Sequence, residues 1–253
     1  MEVHAHTHPA PSGSRKKWTH YFWEFLMLFL AVFCGFLAEY QLEHKIEKDR
    51  EKQYMKSMIV DLQTDSSRIA RIIDNTTRQV SGFDSLLQNI YHTPYTDSSL
   101  RTLYYLKESY TLFKYTMYFS KATISQLKNS GGLRLIRKRA VADSIISYDI
   151  ATERVEGQGE GVDFAGKKLL DLSVKIFDGE FVVDFNSSSN YKEILSSNKK
   201  FTLLSNDEKL IREYANLAKF KKDVIINYIR QLTNLRGRIP VIIEFLEEEY
   251  NLN

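Results

Sequence analysis

Apolar and polar positions divide the chain into a continuous apolar block, a charged neck and a long stretch with helical periodicity. The block, WTHYFWEFLMLFLAVFCGFLAEY from Trp18 to Tyr40, carries no charge between Phe25 and Ala38. Its roughly 23 residues rise about 34 Å as a helix, enough to cross the hydrocarbon of a bilayer. Trp18, Tyr21, Trp23 and Tyr40 stand at its ends, where amphipathic rings favour the membrane interface, with Arg15, Lys16 and Lys17 just outside. The pattern predicts a transmembrane helix over 18–40 behind a short disordered tail, 1–17. A cleaved signal peptide fits poorly, because the apolar core runs into FLAEYQLEHKIEKDR with no A-x-A pattern. A lipoprotein anchor at Cys34, the one cysteine, is disfavoured by Phe33, which fills a position where a small residue is needed. Cys34 reads as an ordinary apolar side chain of the helix.

Residues 41–54 form the neck, almost wholly charged between Glu43 and Gln53 apart from Ile46. Glu47 and Glu51, and Lys48 and Lys52, fall on helical spacings, so the neck can be helical while solvated on nearly every side. From Met55 an apolar stripe returns at Met58, Ile59, Leu62, Ile69, Ile72, Ile73, Val80, Phe83, Leu86, Leu87 and Ile90, until Pro94 and the polar TDSS end it. A bundle or a self-associating coil would bury that face. A second helix is predicted over about 99–128, rich in tyrosine and phenylalanine, and Gly131-Gly132 breaks the chain before a third over about 137–177. Gly157, Gly159, Gly161 and Gly166 interrupt that third helix and read as a weakened or broken point in it, each interior glycine costing about 1 kcal/mol against alanine. Nucleotide binding is not expected of this patch, since neither a preceding strand nor a Gly-Lys-Ser/Thr ending is present.

EFVVDF, near 180–186, is the one candidate for a short β element. Ser205-Asn206-Asp207-Glu208 then starts a helix with Leu210, Ile211, Tyr214, Leu217, Phe220, Val224, Ile225, Tyr228, Ile229 and Leu232 on one face. Gly237 and Pro240 are expected to break or kink it, leaving VIIEFLEEEYNL as a last short helix. The predicted fold is therefore all-α: one transmembrane helix continuing into an elongated helical bundle over 55–253.

Composition changes this picture little. A net charge of +3, with cations interspersed among acids, gives no basic stripe for nucleic acid. Cysteine is absent beyond residue 34, which excludes a disulfide framework in the bundle. Counting Lys and Arg alone does not orient the span, because Arg15, Lys16 and Lys17 face Lys45, Lys48, Arg50 and Lys52 across it. The first flank is purely basic, whereas Glu39, Glu43, Glu47, Asp49 and Glu51 offset the second. That balance favours a cytoplasmic N-terminus and a bundle across the membrane.

The anchor and neck through MIVDL, together with ISQLKNSGGLRLIRKRAVADSIISYD, resemble an uncharacterised family of single-pass membrane proteins common in Bacteroidota. The resemblance covers 18–149 and implies an N-terminal transmembrane helix and a helical C-terminal domain; taken with the charge balance, the expected location is the bacterial inner membrane with the bundle periplasmic. It implies no activity and transfers no catalytic residue. The glycine patch at 157–161 departs from the family pattern.

Candidate chemistry is sparse. His4, His6 and His8 alternate near the start, but a disordered tail forms no closed metal site and no metal or cofactor is expected. His20 and Glu24 share a helix face inside the span, an intramembrane polar pair that is costly unless partnered or snorkelled to the interface. His44 with Glu43 and Glu47 reads as solvated charge, as do Glu247, Glu248 and Glu249. His92 ends a helix without a nucleophile elbow anywhere in the chain, so no enzyme is expected. Ala31 and Gly35, with Cys34 and Ala38 beside them, form a small-x-x-x-small face suited to helix packing in lipid. The expected partners are membrane lipid, a second copy of the chain and another envelope membrane protein. The expected function is a non-enzymatic membrane-anchored scaffold or accessory subunit, the alternative being a ligand-sensing input that signals through a partner.

Overall fold

The computed structural model describes residues 14–111, 114–129, 131–181 and 192–252, with side-chain burial from residue 18. Helices α1 (Ser14–His92), α2 (Asp97–Leu106), α3 (Ala122–Asn129), α4 (Arg139–Ser173), α5 (Lys192–Ser196) and α6 (Glu208–Tyr250) follow in order. No strand occurs among the described residues, and the fold is all-α. One antiparallel bridge pairs Phe177 with Leu203. Of the EFVVDF segment, Glu180 and Phe181 lie in a 3₁₀ turn and the rest falls outside the described residues. The chain divides into two compact units, 1–52 and 53–253.

In the first unit α1 is exposed along the apolar block: Trp18, Phe25, Leu28, Phe29 and Phe36 all lie open. In the second unit three helices bury seams of alternating three- and four-residue steps, the repeat that lets helices wind together with a continuous apolar contact line. On α1 these are positions 55, 58, 62, 65, 69, 76, 79, 83 and 86. On α6 they are 211, 214, 218, 221, 225, 228, 232, 235, 239, 242 and 246. On α4 they run through Val141, Ile145, Tyr148, Thr152, Val155, Gly159, Val162, Leu169 and Ser173. The stripe predicted from Met55 onward is thus buried within the chain's own bundle. Asp84 of α1 pairs with Lys222 of α6 at 2.7 Å, and Tyr91 reaches Asn216 at 3.5 Å, so these two helices run antiparallel.

Several elements differ from the periodicity reading, each for a physical reason. The glycine patch does not break α4, which runs unbroken from Arg139 to Ser173. A Cβ on Gly159 would lie 3.7 Å from the Tyr228 hydroxyl, and one on Gly166 would lie 3.2 Å from Lys221 Nζ. These glycines, seven residues apart on α4, face two long side chains seven apart on antiparallel α6, and their smallness admits the close approach. Gly237 and Pro240 do not end α6 either. Pro240 is exposed, as is Arg236, whose carbonyl loses its in-helix donor toward solvent, while Ile239, Ile242 and Leu246 stay buried and hold the helix on course. Phe220, which the spacing places on the core face, is 52% exposed, and the seam position belongs to its neighbour Lys221, 3% exposed.

The largest departure is the helix expected over 99–128. Helix α2 stops at Leu106, a π-helical turn covers Lys107–Thr111, and the described residues 114–121 are non-helical before α3 begins. Helix α2 itself is started by Thr96, whose side chain accepts from Ser99 N–H while the Ser99 hydroxyl accepts from Thr96 N–H, a capping box. Asp207 caps α6 by accepting from Lys209 N–H, as its sequence position predicts.

Candidate functional site

The π turn Lys107–Thr111 and the stretch 114–121 pass against α1, α4 and α6, and the core side chains Met117 and Phe119 of the latter are buried. A buried non-helical backbone must find partners for its N–H and C=O groups outside itself, because leaving one unpaired costs about as much as a lost hydrogen bond. Here the partners are polar side chains standing in or beside the helix seams. Gln79 donates to the Tyr110 carbonyl at 2.7 Å, and Lys221 Nζ donates to the Thr111 carbonyl at 2.6 Å. The Tyr228 hydroxyl accepts from Met117 N–H at 2.9 Å. Asp65 accepts from Ser120 N–H at 2.9 Å and from the Tyr148 hydroxyl at 2.8 Å. Asp61 accepts from Thr123 N–H at 3.3 Å and so caps the first turn of α3 from another helix. Arg68 donates to the Tyr118 carbonyl at 3.2 Å. The polar residues at core positions, which a purely apolar seam would exclude, are the fastenings of this segment.

Burial sets the electrostatics. Desolvation raises the Asp65 carboxyl above its ordinary range, opposed by the bonds from Ser120 and Tyr148 and the charge of Arg68. Burial and the neighbouring Asp65 charge push the Tyr148 phenol up. Desolvation lowers the Lys221 ammonium to about 8, opposed by the charge of Asp163. In the π turn, Glu108 is fully buried and pairs with Lys107 at 2.5 Å. Its Oε2 and the buried Tyr214 hydroxyl have no hydrogen-bond partner among the described residues. Single π turns often mark places where a helix has been adapted to a site.

Beside Lys221 lies a cavity of about 240 Å³, lined by Thr111, Lys114, Val162, Asp163, Gly166, Lys167, Leu170 and Lys221. Lys114 forms an ion pair with Asp163. Among the described residues no carboxylate lies within 4 Å of the Lys221 or Lys167 ammonium. A second groove between α4 and α6 is lined by Arg154, Arg230 and Arg238 together with Gln231 and Asn234. Arginines dispersed along the sequence are thus brought together locally by the fold.

The residues singled out from sequence stand apart from this centre. His20 and Glu24 share a turn of α1 in the first unit, both exposed and with no hydrogen bond or ion pair between them. Ala31, Cys34, Gly35 and Ala38 are exposed on the same helix, and a Cβ on Gly35 would meet nothing within 4 Å. His44 pairs with Glu47 at 3.4 Å and packs against Tyr40, the two rings tilted with their centres 4.2 Å apart. His92 is the exposed last residue of α1. Glu249 pairs with Lys138 at 2.7 Å. His4, His6 and His8 lie outside the described residues. Among the described residues no group of three His, Cys, Asp or Glu side chains could hold a metal ion.

Sequence reading missed Asp65, Gln79 and Lys221, and it placed Tyr228 on the core face without its bond to Met117 N–H. The available signal was the regular three-four alternation itself, which puts polar residues 65, 79 and 221 on core faces. Compared with family models, with curated proteins and with solved structures, the chain gives no significant match.

Proposed function

We propose that this chain is a non-enzymatic, single-pass membrane protein, a scaffold or accessory subunit of an envelope complex, with a cytoplasmic N-terminus and its helical bundle on the far side of the bilayer. One observation carries the anchoring. An 18-residue window of α1 with mean hydropathy 2.0 has none of its residues buried, although the apolar stripe from Met55 onward is buried in the bundle. By length and composition α1 can cross a membrane. An open apolar surface of this extent is costly in water and is solvated by acyl chains. The likeness of the anchor and the Ser-Gly-Gly turn to the Bacteroidota family supports the same reading and adds no chemistry. A ligand-sensing role is the second reading, favoured by the cavity beside Lys221.

Self-association is part of the proposal in a narrower form than the stripe suggested. The stripe from Met55 is already covered, so pairing of two copies would run through the face of Ala31, Cys34, Gly35 and Ala38. Oxidation in membranes should give a Cys34-dependent dimer band that Gly35→Leu weakens. A protein that stays monomeric by mass in mild detergent, with no such band, removes the dimer. The orientation is tested by a reporter active only outside the cytoplasm, fused after Asn253, which should be active. Activity of a cytoplasm-only reporter at the same junction would reverse the topology and remove the envelope setting. An envelope membrane protein should co-elute when the chain is purified from its native membrane.

A further inference from the structure

We propose that the cavity over Lys221 binds a small oxyanion, a carboxylate or phosphate group, with Lys221 and Lys167 as its cationic contacts. This deepens the ligand-sensing reading and does not depend on where the bundle sits relative to the membrane. Lys221 is 3% exposed and occupies a core position of the α6 seam. Its ammonium spends one proton on the Thr111 carbonyl at 2.6 Å and lies 5.7 Å from the centre of the Phe83 ring. Neither contact neutralises a buried positive charge. Burying an ion without a counter-charge is among the most expensive arrangements available to a protein.

The groups around the cavity compensate that charge only in part, Asp163 acting on it without forming an ion pair with it. From α4 come Asp163 and Lys167, and from the segment after the π turn comes Lys114. Asp163 is engaged by Lys114, so the pair contributes no free anion. What remains is two cations, Lys167 at the rim and Lys221 at the floor, around a space of about 240 Å³. That space accommodates an ion of phosphate or acetate size with room to spare. Gly166 keeps the approach to Nζ open, since a Cβ there would stand 3.2 Å from it. A bound oxyanion would accept the ammonium's two remaining N–H donors, and charge-assisted bonds of this kind are roughly twice as strong as neutral ones.

Calorimetric titration of the full chain in neutral detergent, with inorganic phosphate in one series and acetate in another, tests the site. Saturable one-site binding should appear for at least one of the two, the better ligand identifying the source of the charge. Glycerol 3-phosphate, titrated in parallel, distinguishes a lipid headgroup from free phosphate: tighter binding than inorganic phosphate assigns the headgroup. Lys221→Met should weaken binding at least tenfold and Lys167→Ala several-fold. Lys167 takes no part in the core, so its variant reads the site even if Lys221→Met fails to fold. Acetate does not titrate above pH 7, and its affinity should fall about tenfold per pH step above pH 8 as Lys221 loses its proton. A Lys221 that only ties down Thr111 would give none of this. No saturable binding of any of the three ions up to tens of millimolar, or binding that both lysine variants leave unchanged, overturns the assignment.

Discussion

Replacing Lys221 by methionine removes a buried ammonium while keeping an unbranched side chain of similar reach. Burial holds the lysine at about 8 instead of the ordinary 10.5. Between those values the unfolded chain carries a proton that the folded one has shed, so stability rises with pH across the window. Below pH 8 both states are protonated and the whole penalty is present. Two and a half decades at about 1.4 kcal/mol each make that penalty about 3 kcal/mol. Against it stands the bond to the Thr111 carbonyl, whose loss leaves a buried acceptor unpaired at about 1–3 kcal/mol. Lys221→Met should therefore match or exceed the parent by up to about 2 kcal/mol at pH 7, and fall about 1–3 kcal/mol below it at pH 10.5. The assay is urea unfolding of the full chain in neutral detergent, followed by circular dichroism in a buffer free of phosphate and carboxylates. Tyrosine and surface-lysine ionisation is common to both proteins and cancels in the difference. A difference that stays flat within about 0.5 kcal/mol from pH 7 to 10.5 would refute the buried, unpaired charge.

Two further substitutions test how the segment and the seams are held. Gly159→Ala should be neutral or stabilise by up to about 1 kcal/mol, because its Cβ meets Tyr228 at an ordinary 3.7 Å and helix propensity improves. Gly159→Leu should cost more than about 2 kcal/mol by forcing α4 and α6 apart, and equal thermal midpoints for the two variants would count against the close approach. Asp65→Ala should cost about 2–4 kcal/mol, since it strands Ser120 N–H and the Tyr148 hydroxyl. Asp65→Asn can still accept from Ser120 N–H through Oδ1 while its Nδ2 donates to the Tyr148 hydroxyl oxygen, reversing the direction of the second bond. The raised carboxyl means that the parent's Asp65-linked stability is complete below about pH 3.8 and declines as pH rises through the folded value. Asp65→Asn should lack that decline, gaining on the parent between pH 3 and 7 in parallel unfolding titrations.

What could be read from sequence was whatever depends on neighbours along the chain. The apolar block, the stripe of α1, the cap at Asp207 and the turn at Gly131, whose φ of 69° suits glycine, all follow from local chemistry. What could not be read depends on partners far away. Residues 114–121 are as rich in tyrosine and phenylalanine as a helix core, and nothing nearby says that residues 65, 79, 221 and 228 will satisfy their backbone better than a helix would. The glycines of α4 look like breaks when read along one helix. Two of them, Gly159 and Gly166, are packing positions once Tyr228 and Lys221 stand opposite. Lys221 was legible in the spacing, falling three after Ala218 and four before Ile225, but a lysine invites assignment to solvent and Phe220 took its place. The span's small-residue face and the His20–Glu24 pair gained no partner from the fold.

The anchoring role of residues 18–40 is tested most directly by flotation of membranes carrying the full chain after extraction with alkaline carbonate. The protein should stay with the bilayer and rise with the lipid fraction, as an apolar helix exposed along the whole of its span requires. Release into the carbonate supernatant would mean that the apolar block is covered by protein and not by lipid, and would contradict the membrane-anchored reading.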